Sequence, residues 1–134
     1  MALRSTIIVN DLEMEKKKIL IVDDDPRNIF ALTATLRSKS FDCQSCSGAP
    51  EAIQLLKSDE DIDAVLMDMM MPDMDGYEAI PIIKGIAHRQ GLPIIAVTAQ
   101  AMIGDREKCL RAGADDYISK PIDVDKLLEI LSTI

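Results

Sequence analysis

The chain has 134 residues, the length of a single domain. Its 23 acidic and 15 basic residues give a net charge of −8, and aromatic residues make up only 3% of the total. This composition argues against binding of nucleic acid, contact with an anionic membrane surface and a stacking platform for bases or sugars. No apolar run approaches the roughly 18 residues that a membrane-spanning helix needs.

Residues 1–17 differ in pattern from the rest of the chain and are predicted to be a tail or a linker. A charged run, MEKKK at residues 14–18, lies at the end of this segment, and its apolar run at residues 7–9 is too short for a signal peptide. The segment is either what remains of a connection to an upstream domain or a frayed end without a role. The domain itself is expected to cover residues 18–134.

From residue 18 onward, predicted strands and helices alternate. Short apolar runs predict strands at residues 19–22, 41–46, 64–67, 93–97 and 116–119. Apolar residues at helical spacing predict helices at residues 26–38, 50–57, 77–88, 104–111 and 123–131. Pro81 is expected to kink the third helix or to delay its start. This alternation predicts an α/β fold in which a single doubly wound sheet of five parallel strands carries five helices on its two faces.

The second predicted strand is half polar, which favours an edge position in the sheet. It contains Cys43 and Cys46, a C-x-x-C pair that would suit a redox or a zinc site. Residues three apart on a strand point to opposite faces, and no second pair completes a zinc site, so we interpret both cysteines as packing residues. The odd number of cysteines, three, and the lack of a signal peptide indicate a reducing compartment and a cytoplasmic location.

Polar residues follow four of the predicted strands at their carboxyl ends. These residues are Asp23, Asp24 and Asp25 after the first strand, Asp68 after the third, Thr98 after the fourth and Lys120 after the fifth. Ligands of open parallel sheets bind at this edge. Clustered carboxylates repel one another, and Mg²⁺, which prefers oxygen ligands, would neutralise them. The alternative interpretation is an acidic surface loop beside a structural ion pair.

The same arrangement points to phosphoryl chemistry. A carboxylate can form an aspartyl-phosphate, and Asp68 is the candidate nucleophile. Phosphoryl transfer needs charge neutralisation at the equatorial oxygens, which a cation, the Lys120 ammonium and the Thr98 hydroxyl would supply.

Four segments resemble the signature motifs of the response regulator receiver domain. They are ILIVDDD at residues 19–25, VLMDMMMPDMDG at residues 65–76, VTAQA at residues 97–101 and KP at residues 120–121. The stretch GDREKCLRAGADDY, at residues 104–117, is most similar to receivers attached to hybrid sensor histidine kinases. The resemblance extends from about residue 18 to the C-terminus, and it implies a flavodoxin-like sheet with the strand order 2-1-3-4-5.

The resemblance also implies a metal site and a phosphoacceptor. Asp68 is expected to be the residue that becomes a 4-aspartylphosphate. Asp23 and Asp24 are expected to be the acidic pair that holds Mg²⁺, with Asp24 the more direct ligand. Asp68 and the backbone carbonyl of Met70 would complete the protein ligands.

Further roles that the resemblance implies concern the response to phosphorylation. Thr98 and Lys120 are expected to contact the phosphoryl group, and Thr98 and Tyr117 are expected to be the switch residues. Two residues depart from the family pattern. Met70 stands where many members have a polar residue, and Gln100 replaces an acid that is found in some members that lose the phosphoryl group quickly. Both departures make a short phosphoryl lifetime doubtful.

The expected function is a phosphoryl-accepting signalling domain of a two-component or phosphorelay system. Its partner would be a histidine kinase or a histidine phosphotransfer protein, and a homodimer through the last two helices and the fifth strand is a further expectation. The domain would catalyse only its own phosphorylation and dephosphorylation and is not expected to be an enzyme. The tail and the hybrid-like motifs favour a piece of a longer hybrid kinase over a stand-alone protein.

Two alternatives come from other functional classes. A Mg²⁺-dependent phosphohydrolase with an aspartate nucleophile would need an acid where Met70 stands. The second alternative is an interaction module that keeps the fold but is not phosphorylated. The acids and the lysine at the strand ends argue against it.

Overall fold

The computed structural model describes residues 16–58, 61–99 and 102–134. The predicted tail therefore lies outside the described residues, apart from its last two. Strands and helices alternate in the order β1 (Lys18–Val22), α1 (Pro26–Ser38), β2 (Asp42–Cys46), α2 (Ala49–Lys57), β3 (Ala64–Asp68), α3 (Gly76–Lys84), β4 (Ile94–Thr98), α4 (Asp105–Ala112), β5 (Asp116–Ser119) and α5 (Val124–Leu131). A short 3₁₀ turn, Ala87–Arg89, separates α3 from β4.

The five strands form one parallel sheet with the order β2-β1-β3-β4-β5. This order confirms the α/β class, the strand arrangement and the edge position expected for the second strand. The carboxyl ends of β1, β3, β4 and β5 therefore meet along one edge of the sheet, and the loops that follow them face each other.

Two apolar layers cover the sheet, one on each face. The three central strands are buried almost throughout, and their alternate side chains enter different layers. Helices α2 and α3 pack on one face, and α1 and α5 pack on the other. Cys46 belongs to the first layer and Cys43 to the second, so the predicted opposite orientation of this pair is confirmed. All three cysteines are buried free thiols.

Helix α3 differs from the prediction at its end. It ends at Lys84, four residues before the predicted end at His88, and Pro81 does not delay its start. Asp75 and Glu78 form a capping box that begins the helix at Gly76. Pro81 has no amide hydrogen for the helical ladder, and the amide of Gly85 caps the last turn at the carbonyls of Pro81 and Ile82. His88 consequently lies in the separate 3₁₀ turn.

No helix in the described ranges is both long enough and apolar enough to cross a membrane.

Candidate metal centre

Three carboxylates come together where β1 and β3 end. Asp23 and Asp24 follow β1, and Asp68 is the last residue of the neighbouring β3. One carboxylate oxygen from each of the three lies within 4.8 Å of the others. Asp23 and Asp68 are only 2% and 4% exposed, whereas Asp24 is exposed. We call these three residues the acidic cluster, which combines two buried carboxylates with one that is exposed to solvent.

Asp23 is held by hydrogen bonds from three directions. The backbone amide of Asp25 donates to its Oδ1 at 2.8 Å, and the side-chain amide of Asn28 donates to its Oδ2. The ammonium of Lys120 lies 3.2 Å from the same Oδ2. Asn28 is not among the predicted site residues. Its position in the first turn of α1, after Pro26 and close to the end of β1, is the signal that could have suggested it.

Asp68 is anchored at one oxygen and paired at the other. The amide of Met70 donates to its Oδ1 at 3.1 Å, and the ammonium of Lys120 lies 3.6 Å from its Oδ2. Burial raises the pKa of Asp68, and the charges of Asp23 and Asp24 add to this effect. The Met70 amide and the Lys120 ammonium act in the opposite direction without cancelling it. Ionisation of Asp68 is thus opposed by its surroundings.

Lys120 reaches the acidic cluster from the end of β5. Its backbone amide donates to the carbonyl of Thr98 at 2.7 Å, which places these two residues side by side at the same edge. Burial alone would lower the pKa of Lys120, but the charges of Asp68 and Asp23 outweigh it and raise that pKa. The lysine therefore remains a cation at neutral pH, and it is shared between two buried carboxylates.

Most of the chain matches a known protein family. A family model described as the response regulator receiver domain matches residues 19–132. The chain belongs to this family. Receiver domains of this kind are parts of two-component and phosphorelay signalling systems, and the expected resemblance is confirmed.

Curated relatives of this receiver domain include large histidine kinases. It is 40% identical over 113 residues to the signal transduction histidine-protein kinase BarA of Escherichia coli (strain K12), a match that covers 84% of this chain and 12% of the kinase. It is 37% identical over 114 residues to the sensor histidine kinase RcsC of the same organism, covering 85% of this chain and again 12% of the relative. The receiver domain thus spans about an eighth of each of these relatives.

Solved structures resemble this receiver domain along most of its length. The receiver domain of the sensor histidine kinase PA1611 from Pseudomonas aeruginosa PAO1 matches with a TM-score of 0.80 and 37% identity, over 88% of this chain and 96% of that one. That structure holds a magnesium ion in its active-site cleft. The receiver domain of Ssk1 from Saccharomyces cerevisiae, co-crystallised with the histidine phosphotransfer protein Ypd1, matches with a TM-score of 0.79 and 26% identity over 87% of each chain.

The donor set of this receiver domain suits a small divalent cation. Three carboxylates and one ammonium leave two uncompensated negative charges at the site. Carboxylate oxygens are ligands that Mg²⁺ prefers, and Mg²⁺ retains several waters, for which the exposed side of Asp24 leaves access. Asp23, Asp24 and Asp68 would hold such an ion.

The remaining predicted site residues lie around the acidic cluster. Thr98 is buried at the end of β4, and Tyr117 is half-buried on β5, opposite Ala96. Burial, together with the nearby Asp105 and Cys109, raises the pKa of Tyr117. These positions bring Thr98 to the edge that carries the cluster, and Tyr117 packs against the apolar layer that contains residues of α2 and α3.

Two residues noted in the sequence, Asp25 and Met70, have other positions. Asp25 caps α1 by accepting a hydrogen bond from the Arg27 amide at 2.9 Å, an interaction that lowers the pKa of Asp25, so it does not join the acidic cluster. The side chain of Met70 is 53% exposed, and its amide contacts Asp68. Gln100 lies outside the described residues.

Proposed function

We propose that this receiver domain accepts a phosphoryl group on Asp68 in a Mg²⁺-dependent reaction. The observation that carries the proposal is the acidic cluster itself, in which the buried carboxylate of Asp68 lies among two further acids and beside one shared ammonium. Asp23, Asp24, Asp68 and the backbone carbonyl of Met70 are the proposed metal ligands. Bound Mg²⁺ would neutralise charge on the phosphoryl oxygens.

The donor in this proposal is a phosphohistidine of a histidine kinase or of a histidine phosphotransfer protein. An oxygen of Asp68 forms the new bond to phosphorus, the bond from phosphorus to the histidine nitrogen breaks, and that nitrogen keeps the electron pair. Lys120 and Thr98 stabilise the charge on the transferred group. The kinase relatives and the Ssk1 complex with Ypd1 support this choice of donor.

We further propose that phosphorylation changes the surface formed by α4, β5 and α5. Thr98 and the segment after it would move toward the phosphoryl group, and Tyr117 would change its side-chain position with them. A homodimer through the same surface is the proposed consequence. The exposed side chain of Met70 has no acid or base that could activate a water molecule, which supports slow loss of the phosphoryl group.

The wider setting is also a proposal. The similarity to BarA and RcsC supports a place for this domain within a hybrid histidine kinase, with residues 1–17 as a linker to the preceding part. Its chemistry would be limited to its own phosphorylation and dephosphorylation. The three buried free thiols fit the reducing cytoplasm that we propose as its location.

Incubation of the chain with Mg²⁺ and acetyl phosphate, followed by intact mass measurement, tests the proposed function. We expect one phosphoryl group per chain, stable in acid and labile in base, and no adduct when EDTA has removed the metal before the donor is added. Asp68→Asn should abolish the adduct. Asp73→Asn is the matched control, because Asp73 is an exposed acid of the loop after β3 whose left-handed backbone suits asparagine. No adduct on the unaltered chain, or an adduct that persists in Asp68→Asn, would contradict the proposal.

A further inference from the structure

A second polar group of side chains lies between α3 and α4, away from the acidic cluster. The hydroxyl of Tyr77, near the start of α3, lies 3.2 Å from Oδ1 of Asp105, the first residue of α4. The same hydroxyl is 3.8 Å from the sulfur of Cys109, one turn further along α4. The ammonium of Lys108 lies 4.4 Å from the centre of the Tyr77 ring. Tyr77 therefore contacts α4 along its first turns.

Among the described residues, few side chains of helix α4 are packed into the core. Cys109 is its only buried residue, and most of its other residues are charged. Within the described part of the chain, Oδ2 of Asp105 is buried and accepts no hydrogen bond. A buried carboxylate oxygen without a donor is costly, so the position of Asp105 is only partly satisfied. The hydrogen bond from Tyr77 is thus one of the side-chain contacts, together with the buried Cys109, that hold the first turns of α4.

The start of α3, which carries Tyr77, is in close backbone contact with Met69, the residue that follows Asp68. The amide of Gly76 donates to the carbonyl of Met69 at 3.3 Å, and Met69 directly follows Asp68. A Cβ at position 76 would lie 2.9 Å from the Cα of Met69, so these two backbones are in close contact. The start of α3 is consequently fixed relative to the phosphoacceptor, and Tyr77 extends from this fixed point.

Asp105 lies at the far end of the segment that begins at Thr98. The β3–β4 pairing and the close contact of Gly76 with Met69 connect the end of β4 to the start of α3. The hydrogen bond between Tyr77 and Asp105 connects the start of α3 to the start of α4. In the proposed function, Thr98 and the segment after it move toward Asp68, and Asp105 is seven residues further along the chain from Thr98.

We propose that Tyr77 is a positioning residue that holds the start of α4 while Asp68 is a free carboxylate and that opposes phosphoryl acceptance. The inference rests on the proposed function, in which Thr98 and its segment move toward the phosphoryl group. A hydrogen bond made in only one of two states shifts the equilibrium toward that state. Its loss should therefore favour the phosphorylated arrangement.

The chemistry of Tyr77 suits this role. Burial raises the pKa of its hydroxyl, and Cys109 and Asp105 raise it further. The hydroxyl therefore keeps its proton at physiological pH and donates to the Asp105 carboxylate. A hydrogen bond to a charged acceptor is stronger than a neutral one, so it can influence the balance between two arrangements.

Tyr77→Phe tests the inference, because it removes the hydroxyl and keeps the ring that contacts Lys108. Beryllofluoride with Mg²⁺ serves as the phosphoryl analogue. We expect about fivefold tighter binding of beryllofluoride, the size of effect expected for one such hydrogen bond, and unchanged affinity for Mg²⁺ alone. Amide hydrogen exchange over α4 should be faster than in the unaltered chain. Thermal melting checks that the variant is folded.

Asp105→Asn and the double variant complete the test. Asp105→Asn weakens the same bond and should also tighten beryllofluoride binding. The double variant should bind no more tightly than Tyr77→Phe, because both changes remove one interaction. Additive effects, unchanged or weaker binding by Tyr77→Phe, or unchanged exchange in α4 would overturn the inference. Failure of the unaltered chain to bind beryllofluoride would instead contradict the proposed function.

Discussion

The ammonium nitrogen of Lys120 lies 3.6 Å from Oδ2 of Asp68, and this contact connects the end of β5 to the end of β3 across β4. The same ammonium lies 3.2 Å from Asp23, so one cation is shared by two buried carboxylates. Asp24 adds a third negative charge. The folded protein therefore keeps mutually repelling carboxylates at this edge of the sheet, and their repulsion opposes the ionisation of Asp68.

Asp68→Asn is expected to stabilise the fold in the absence of divalent cations. The pKa of Asp68 is raised by burial and by its acidic neighbours, so at neutral pH the folded protein carries an ionised group that it disfavours. The variant should gain about 1 kcal/mol in the free energy of unfolding. A gain of this size raises the melting temperature by roughly 3–5 °C.

The difference in stability between Asp68→Asn and the unaltered protein should depend on pH, and this dependence is the control for the prediction. As the pH falls through the raised pKa of Asp68, the folded protein takes up the proton before the unfolded chain does, and the unaltered protein gains stability relative to the variant. The advantage of Asp68→Asn should therefore disappear in acid. Thermal melts from neutral to acidic pH measure it, and a variant that melts below the unaltered protein at neutral pH would contradict the expectation.

As the pH falls, Mg²⁺ binding should begin to weaken at a higher pH than it would at a site whose aspartates have ordinary pKa values. A proton on Asp68 competes with the metal, and the raised pKa of Asp68 brings this competition closer to neutrality. Below that pKa, the affinity should fall by about tenfold per pH unit. Calorimetric titration over a series of pH values measures this slope. The slope should be shallower in Asp68→Asn, and equal slopes in the two proteins would show that another group controls binding.

The site was largely predictable because its residues sit at strand ends. Carboxyl ends of parallel strands share one edge, so apolar runs followed by acids or by a lysine were enough to bring Asp23, Asp68 and Lys120 together in the prediction. Asn28 was missed because its contact with Asp23 depends on how the first turn of α1 lies over the end of β1. Local sequence does not encode that packing.

The end of α3 and the contacts of Tyr77 also could not be predicted from local sequence. Apolar spacing continued to His88, but the helix ends at Lys84, where the amide of Gly85 caps the last turn at the carbonyls of Pro81 and Ile82. Tyr77 and Asp105 are 28 residues apart in the chain, and only the packing of α3 against α4 brings them together. Contacts between separate helices were therefore beyond the reach of the sequence patterns.

Lys120→Gln should slow phosphorylation from acetyl phosphate by about 10²–10³, the loss typical of removing one donor that stabilises transition-state charge. It should also cost about 1–3 kcal/mol in stability, because Asp23 and Asp68 lose their shared cation. Added Mg²⁺ should restore part of that stability. Phosphorylation time courses and thermal melts with and without the metal provide the measurements.

Lys84→Gln is the matched control for this variant. The side chain of Lys84 is 24% exposed, against 26% for Lys120, and it pairs with Asp115 at 2.8 Å, outside the acidic cluster. Its loss should lower stability while leaving the phosphorylation rate of the folded protein within about twofold. Equal slowing of phosphorylation in the two variants would show that Lys120 acts only through stability.

Gly76→Ala should destabilise the protein, whereas Gly91→Ala should not. A Cβ at position 76 would lie 2.9 Å from the Cα of Met69 and still closer to its sulfur, so backbone must move next to Asp68. Overpacking of this kind costs about 1–3 kcal/mol. A Cβ at Gly91 meets nothing within 4 Å, so that variant should be neutral or gain up to about 1 kcal/mol from a less flexible unfolded chain. Urea unfolding measures both, and phosphorylation should be slowed only in Gly76→Ala. Similar stabilities for the two variants would show that the contact of Gly76 with Met69 relaxes without cost.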